Sequence, residues 1–240
     1  MRQQTVRHIN RLFSSLGLSV RRRHSFREPA LHLARKCEEF GISTILDIGA
    51  NVGQFGRRVR DAGYRGQLVS FEPLDMAHSS LTSAAGGDRS WTVMPPMALG
   101  STAGKAKINV SSNLSSSSLL AVDQRSIDAF PRSAFVRTED IDIRRLDTVT
   151  SPLWSQPYAL KIDTQGFEIE VLSGAENILP QVKLVLIEMS LCPLYEGAPL
   201  LAEVYSWLEQ RGFRCIGLTE GFVDLDRQEM LQVDGLFTRD

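Results

Sequence analysis

The sequence predicts an α/β fold: about seven mostly parallel strands, helices on both faces, and a small antiparallel insertion. Two observations predict it. Short apolar runs alternate with helical segments at both ends of the chain, the rhythm of a parallel sheet. The middle breaks that rhythm with six serines in the eight residues Ser111 to Ser118. The composition, 42% apolar and 23% charged over 240 residues, is that of a globular protein able to bury a full core.

The elements follow in order. Leu33, Cys37 and Phe40 recur at helical spacing between Glu28 and Phe40, and Gly41 can end that helix. Thr44 to Gly49 is a short apolar run with the look of a buried strand. Gly53 to Ala62 reads as a helix ending at Gly63, and Gln67 to Glu72 as a strand stopped by Pro73. Asp75 can cap the next helix, up to Gly86-Gly87. Trp91 to Leu99 reads as a third strand bent by Pro95-Pro96. Lys105 to Val110 and Phe135 to Leu146 alternate and suit an antiparallel excursion, with the serine segment as a loop between them. That loop is either a plain connection or a lid beside a polar substrate. The rhythm returns with strands Tyr158–Asp163 and Lys183–Glu188, and helices Glu168–Leu179 and Leu200–Gln210. Two final strands are expected at Phe213–Leu218 and Val233–Thr238. The expected organisation is a basic arm and helix over 1–41 and one domain over 42–240, with its insertion at about 101–150.

Charge narrows the partners. The 27 basic and 28 acidic residues nearly cancel, which argues against nucleic acid. Residues 1–27 nonetheless hold seven arginines and no acid. A solvated arm is the plain reading of that segment. A peripheral contact with an anionic membrane face, or a grip on an acidic substrate, is the sharper one. Three scattered cysteines, Cys37, Cys192 and Cys215, form neither a disulfide framework nor a zinc motif. No signal peptide or membrane span is evident, so a cytoplasmic protein with reduced thiols is expected, resting at most on the inner membrane face.

The most informative segment is Asp47-Ile48-Gly49-Ala50-Asn51-Val52-Gly53, between a strand and a helix. A dinucleotide fingerprint would need glycine at 51 and 54, where Asn51 and Gln54 stand. A loose glycine turn with an acid at the strand end suits S-adenosylmethionine, whose ammonium and sulfonium are cationic and could be served by Asp47. Glu72 lies 23 residues after Gly49 and ends the next strand, where a carboxylate can accept both ribose hydroxyls. Met97-Ala98-Leu99 would lie beside an adenine, or be simple core.

With these residues in view, the sequence resembles the FkbM-type family of S-adenosylmethionine-dependent methyltransferases, over about Ile42 to Phe237. The resemblance is carried by Ile45 to Phe55, by Phe71-Glu72-Pro73, by Ala98-Leu99-Gly100, and by Leu160 to Glu168 with Val171 to Ala175. Arg145-Leu146-Asp147 and Leu186-Ile187-Glu188 also look like the family. Where the family has glutamate this chain has Gln165, a departure that bears on any role needing a charge there. The resemblance implies a Rossmann-like class I methyltransferase fold and a cofactor site of Asp47, Gly49, Asn51, Gly53, Gln54, Glu72, Pro73, Ala98 and Leu99. It implies O-methyl transfer, commonly to hydroxyls of sugars or small molecules. Some relatives with a basic N-terminus act on deoxysugars of cell-envelope glycolipids, so glycolipid biosynthesis is the expected setting. A small-molecule or polyketide hydroxyl, or a non-catalytic cofactor-binding module, are the alternatives. An oligomer is compatible with everything above.

A general base near the acceptor would help, because a protonated sugar hydroxyl is a poor nucleophile. Asp163 and Glu188 end neighbouring central strands and should face one crevice. Asp163 is the first choice for base or orienting group; Glu188 is second and could bind acceptor hydroxyls. Lys161 shares the Asp163 face of its strand and, if buried, needs a carboxylate partner. Glu168 would cap or support the helix start. No metal site is expected, a divalent ion bridging Asp163 and Glu188 being the minority alternative. His78 reads as a helix-surface residue.

Overall fold

The computed structural model describes residues 27–239. The basic arm and the membrane contact expected of it lie outside the described residues, apart from Arg27. Helix α1 (Pro29–Glu39) leads into β1 (Thr44–Ile48), α2 (Gln54–Asp61), β2 (Gln67–Phe71), α3 (Asp75–Ala85) and β3 (Trp91–Val93). An excursion follows: β4 (Ala98–Leu99), β5 (Gly104–Ser111), α4 (Gln124–Ala129) and β6 (Phe135–Arg144), closed by the short α5 (Leu146–Val149). The second half contains β7 (Tyr158–Ile162), α6 (Glu168–Ser173), β8 (Val182–Ser190), α7 (Leu201–Glu209), β9 (Arg214–Glu220), β10 (Val223–Asp224), β11 (Glu229–Met230) and β12 (Gln232–Thr238).

Seven strands form one sheet in the order β3-β2-β1-β7-β8-β12-β9. All pairs from β3 to β8 are parallel, and β12 runs antiparallel to both β8 and β9. Strands β1 and β7 are buried at every residue, which explains their unbroken apolar character. On one face Leu33 and Cys37 of α1 and Val59 of α2 pack with Ile45, Ala159 and Leu184 of the sheet. On the other, Val171 of α6 and Val204 and Leu208 of α7 pack with Leu46, Ile48 and Leu160 of the sheet. The chain reverses its winding between β1 and β7, the place where open α/β sheets bind ligands.

The expected third strand divides in two. Trp91–Val93 joins the main sheet, while Ala98–Leu99 pairs with β6 in a separate sheet of order β4-β6-β5. Pro95-Pro96 between them lack the N–H groups that a continuous strand needs. The helix expected over Glu168–Leu179 stops at Ser173 and resumes as a 3₁₀ turn over Glu176–Gln181. Gly174 marks the break, and a Cβ there would lie 2.1 Å from the Gly100 carbonyl oxygen. Asp75 is the first residue of α3 and caps nothing; the N-cap position is Leu74. Helix α4, capped by Asp123 onto the Arg125 N–H, and the β10–β11 hairpin had no sequence signal. Of the thiols, Cys37 is buried, while Cys192 and Cys215 are half-buried. No described helix is long and apolar enough to cross a membrane.

Candidate functional site

The turn after β1 requires its glycine. Gly49 has φ +73°, and a Cβ on it would sit 1.9 Å from the Asp163 backbone oxygen. Only glycine lets the ends of β1 and β7 approach this closely. Asn51 follows at φ +48° and donates its backbone N–H to Glu72 Oε2 at 2.8 Å. The other Glu72 oxygen accepts from the Leu74 N–H at 2.9 Å. Burial pushes the Glu72 carboxyl up to about 7, against the pull of these two hydrogen bonds.

A cavity opens over this turn. Gly49, Asn51, Gln54 and Glu72 line it, as do Pro73, Ala98 and Leu99. Phe71, Met97 and Phe167 add apolar wall, and Ser115, Ser117 and Ser118 of the serine segment cover it. Ala98 and Leu99 reach the cavity from the small sheet, not from the end of the third main-sheet strand. Gln54 Oε1 is buried there without a hydrogen-bond partner. An acid for sugar hydroxyls, apolar walls for a purine and an orphaned polar atom together fit an adenosine-containing group.

Two residues expected at the cofactor lie elsewhere. Gly53 packs against Leu81, Ala84 and Trp91, where a Cβ would be crowded at 3.1 Å. Asp47 is fully buried beneath the turn. Strand alternation puts it in register with Ser70 on β2 and Lys161 on β7. Its carboxylate accepts from Ser70 Oγ at 3.3 Å and faces Lys161 Nζ at 3.3 Å. Burial raises its carboxyl above the ordinary carboxylate range, Lys161 pulls it back, and it does not line the cavity.

Lys161 is the centre of this buried layer. Its ammonium donates to the Gly49 carbonyl at 2.9 Å, lies 3.6 Å from Asp163 Oδ2, and stands over the Phe55 ring. Burial opposes the charge, but Asp47 and Asp163 more than offset it and hold the ammonium above the ordinary lysine range. Lys161 thus holds the turn and Asp163 from beneath and does not line the cavity over the turn.

Asp163 closes β7 with about a third of its side chain exposed. It borders the cavity over the turn, a second pocket behind it reaching α1, and a third under the serine segment. That third pocket also contains Glu188, Gln165, Tyr195 and Gln232, with Phe130 and Phe222 edge-to-face at 6.3 Å. Ser133, only 1% exposed, lines it with an unpartnered Oγ. Glu188 accepts from the amides of Gln165 and Gln232, each at 2.7 Å. Burial, then the nearby carboxylates of Asp163, Asp234 and Glu168, raise the Glu188 carboxyl well above its ordinary value. Glu168 reaches back to the Thr164 and Gly166 N–H groups and shapes the turn that carries Gln165.

Sequence reasoning missed Tyr195, whose hydroxyl donates to Gln165 Oε1 at 2.7 Å and stands 3.1 Å from the Ser116 carbonyl. No local motif marks it. Gln165 was visible only as a departure from a family pattern. His78 is half-buried and donates Nε2–H to the Met94 carbonyl at 2.7 Å. Among the described residues no group of three or more His, Cys, Asp or Glu is placed to hold a metal ion.

Solved structures with a similar fold include an rRNA methylase from Streptococcus thermophilus, at 12% identity and TM-score 0.48. The match covers 92% of this chain and 99% of that one. Ribosomal protein L11 methylase of Lactobacillus delbrueckii matches at 10% identity and TM-score 0.46, over 88% and 77% of the two chains. Sp1610 of Streptococcus pneumoniae, solved in complex with S-adenosyl-L-methionine, matches at 11% identity and TM-score 0.45, over 89% and 73%. No curated protein matches the sequence. The profile of the methyltransferase FkbM domain matches residues 47–215, from the acid that closes on Lys161 to β9. The chain belongs to the FkbM methyltransferase family, and S-adenosylmethionine is its cofactor.

Proposed function

We propose that this protein transfers a methyl group to a hydroxyl of a sugar, carried on a glycolipid or another glycan. One observation carries the reading: Asp163 stands where the cofactor cavity meets a separate pocket of amides, hydroxyls and two aromatic rings. Amide and carboxylate groups matched to hydroxyls, with an aromatic wall for C–H faces, suit a carbohydrate better than a flat apolar acceptor. A glycolipid acceptor would also give the arginines of residues 1–27 an anionic surface to meet.

Bound in the first cavity, S-adenosylmethionine supplies an electrophilic methyl on its sulfonium sulfur. Glu72 would hold the ribose hydroxyls, and Ala98 and Leu99 the adenine. Asp163 would accept the proton of the acceptor hydroxyl as that oxygen forms its bond to the methyl carbon and the sulfur–carbon bond breaks. Glu188 would orient neighbouring hydroxyls. Alignment of oxygen, carbon and sulfur supplies much of the rate; the positioned base adds about 10²–10⁴-fold.

The test is incubation with methyl-labelled cofactor and the lipid and polar extracts of the source cell, followed by mass spectrometry. Label in a methoxy sugar is expected. Label found only in RNA or protein, or in nothing, would overturn the reading. The ribose role has its own check. Glu72→Gln turns an amide nitrogen toward the Asn51 or Leu74 N–H and loses the charged acceptor. S-adenosylhomocysteine should bind about 10–100-fold more weakly by calorimetry. Because the empty carboxyl sits at about 7 and the hydroxyls need it ionised, wild-type affinity should fall as pH drops from 8 to 6. Glu72→Gln should lose that dependence.

A further inference from the structure

The second pocket lies behind Asp163, between the first turn of α1 and the side of α2 that carries Gln54 and Arg58. Spacing of about one helical turn puts those two residues on the same side of α2. Gln54 and Asp163 line this pocket and the cavity over the turn alike, so the two spaces adjoin. The charged lining is balanced: Arg27, Arg58 and Lys161 against Glu28, Asp163 and Asp234. Lys161 is already committed, to the Gly49 carbonyl, Asp47 and Asp163. Other groups are not. Among the described residues, neither the Arg27 nor the Arg58 guanidinium has a hydrogen-bond or ion-pair partner, and the Asp234 carboxyl accepts no hydrogen bond. The buried Gln54 Oε1 lacks a partner as well.

One pocket thus offers forked guanidinium donors for an anion and oxygen acceptors for a cation. Helix α2 starts there with Gly53 at its N-cap and no side-chain cap, so its dipole adds to the pull on an anion. A phosphate would leave the acceptors unmatched, and a simple cation would leave the guanidiniums so. An α-amino acid matches both, because it carries a carboxylate and an ammonium on one carbon. The methyl donor ends in such a group, joined to its adenosine through sulfur.

We infer that the second pocket takes the amino-acid end of S-adenosylmethionine. Arg58 and Arg27 receive its carboxylate, and Asp234 and Gln54 Oε1 accept from its ammonium. This rests on the reading of Glu72 and the first cavity as the adenosine site. A donor laid across both spaces passes Asp163, the residue they share with the acceptor-side pocket. The ammonium expected at Asp47 is served by Asp234 instead.

The experiment is calorimetric titration of the full chain with S-adenosylhomocysteine and with methylthioadenosine. The second ligand keeps the adenosine and the sulfur but has a methyl in place of the amino-acid chain. Wild type should bind S-adenosylhomocysteine at least about tenfold more tightly. Arg58 is exposed on α2, so Arg58→Met should fold. It should weaken S-adenosylhomocysteine about tenfold and leave methylthioadenosine within about twofold. Arg27→Met and Asp234→Ala should each narrow the same ratio. Arg89→Met removes an equal charge outside the pocket lining and should leave the ratio as in wild type. Equal wild-type affinity for the two ligands, no binding of either, or a ratio that Arg58→Met leaves unchanged would overturn the inference. So would an equal narrowing in Arg89→Met. Both ligands weakening together in Arg58→Met would overturn it too, that being the pattern expected of Glu72→Gln. The adenosine reading fails separately, if Glu72→Gln leaves methylthioadenosine binding as it was. No acceptor enters these measurements, so failure to methylate a sugar would leave the result standing on its own.

Discussion

Lys161→Met should cost about 3–5 kcal/mol of stability, read as a lowered midpoint in urea unfolding. Methionine fills similar space but leaves Asp47 with only a 3.3 Å bond from Ser70. The fully buried carboxylate would lose its counter-charge, and the Gly49 carbonyl its donor. Asp47 must then take a proton to stay buried. Its folded pKa would rise, so the deficit should be smaller at pH 5 than at pH 8. Replacing Asp47 by leucine in the same chain should recover much of the loss, because two apolar residues tolerate the site better than one orphaned charge. A single variant as stable as wild type would show that the pair contributes nothing.

Asp163→Asn should abolish most turnover while sparing the cofactor. An asparagine amide cannot take the acceptor proton, and its nitrogen would oppose the donors of Gln165 and Lys161. The expected loss is about 10²–10⁴-fold in kcat with the labelled acceptor, with S-adenosylhomocysteine affinity changed less than about tenfold. Retained turnover would remove Asp163 from the base role. Loss of cofactor affinity on the same scale would make it a cofactor residue.

Much of the fold was legible because its strongest signals are local. The runs Thr44–Ile48 and Val182–Ser190 are apolar because both faces of those strands are largely buried, and Gly41, Gly63, Gly86 and Gly174 stand just beyond α1, α2, α3 and α6. The element boundaries that moved did so for tertiary reasons. Gly174 ends α6 where the backbone meets the Gly100 carbonyl, a contact invisible to helical periodicity. Trp91–Leu99 changes sheets at two prolines, and only the partner strands decide where each half goes.

The site was legible where function and chain position coincide. Asp163 follows β7 at the switch point and Glu72 follows β2 one strand away, so their order in the sequence carries their place in the crevice. Asp47 ends a strand too, but the two-residue period turns it to the underside, where it answers the charge of Lys161. Tyr195 and Gln232 were beyond reach because they join the site across the sheet, from a segment after β8 and from β12. Nothing within a few residues of either announces the contact.

The near-contact of Gly49 with the Asp163 carbonyl has a mechanical consequence. The Asp163 N–H bonds the Ile48 carbonyl at 3.1 Å, and Lys161 grips the Gly49 carbonyl from below. The wall that would cradle the donor and the arm that would receive the acceptor's proton are bolted together. Any tilt of one carries the other with it, so the distance between the two reactants is governed by how each seats against a rigid bracket. Improving such a catalyst by substitution is then easier on the surrounding loops than on the bracket, where even a methyl group has no room.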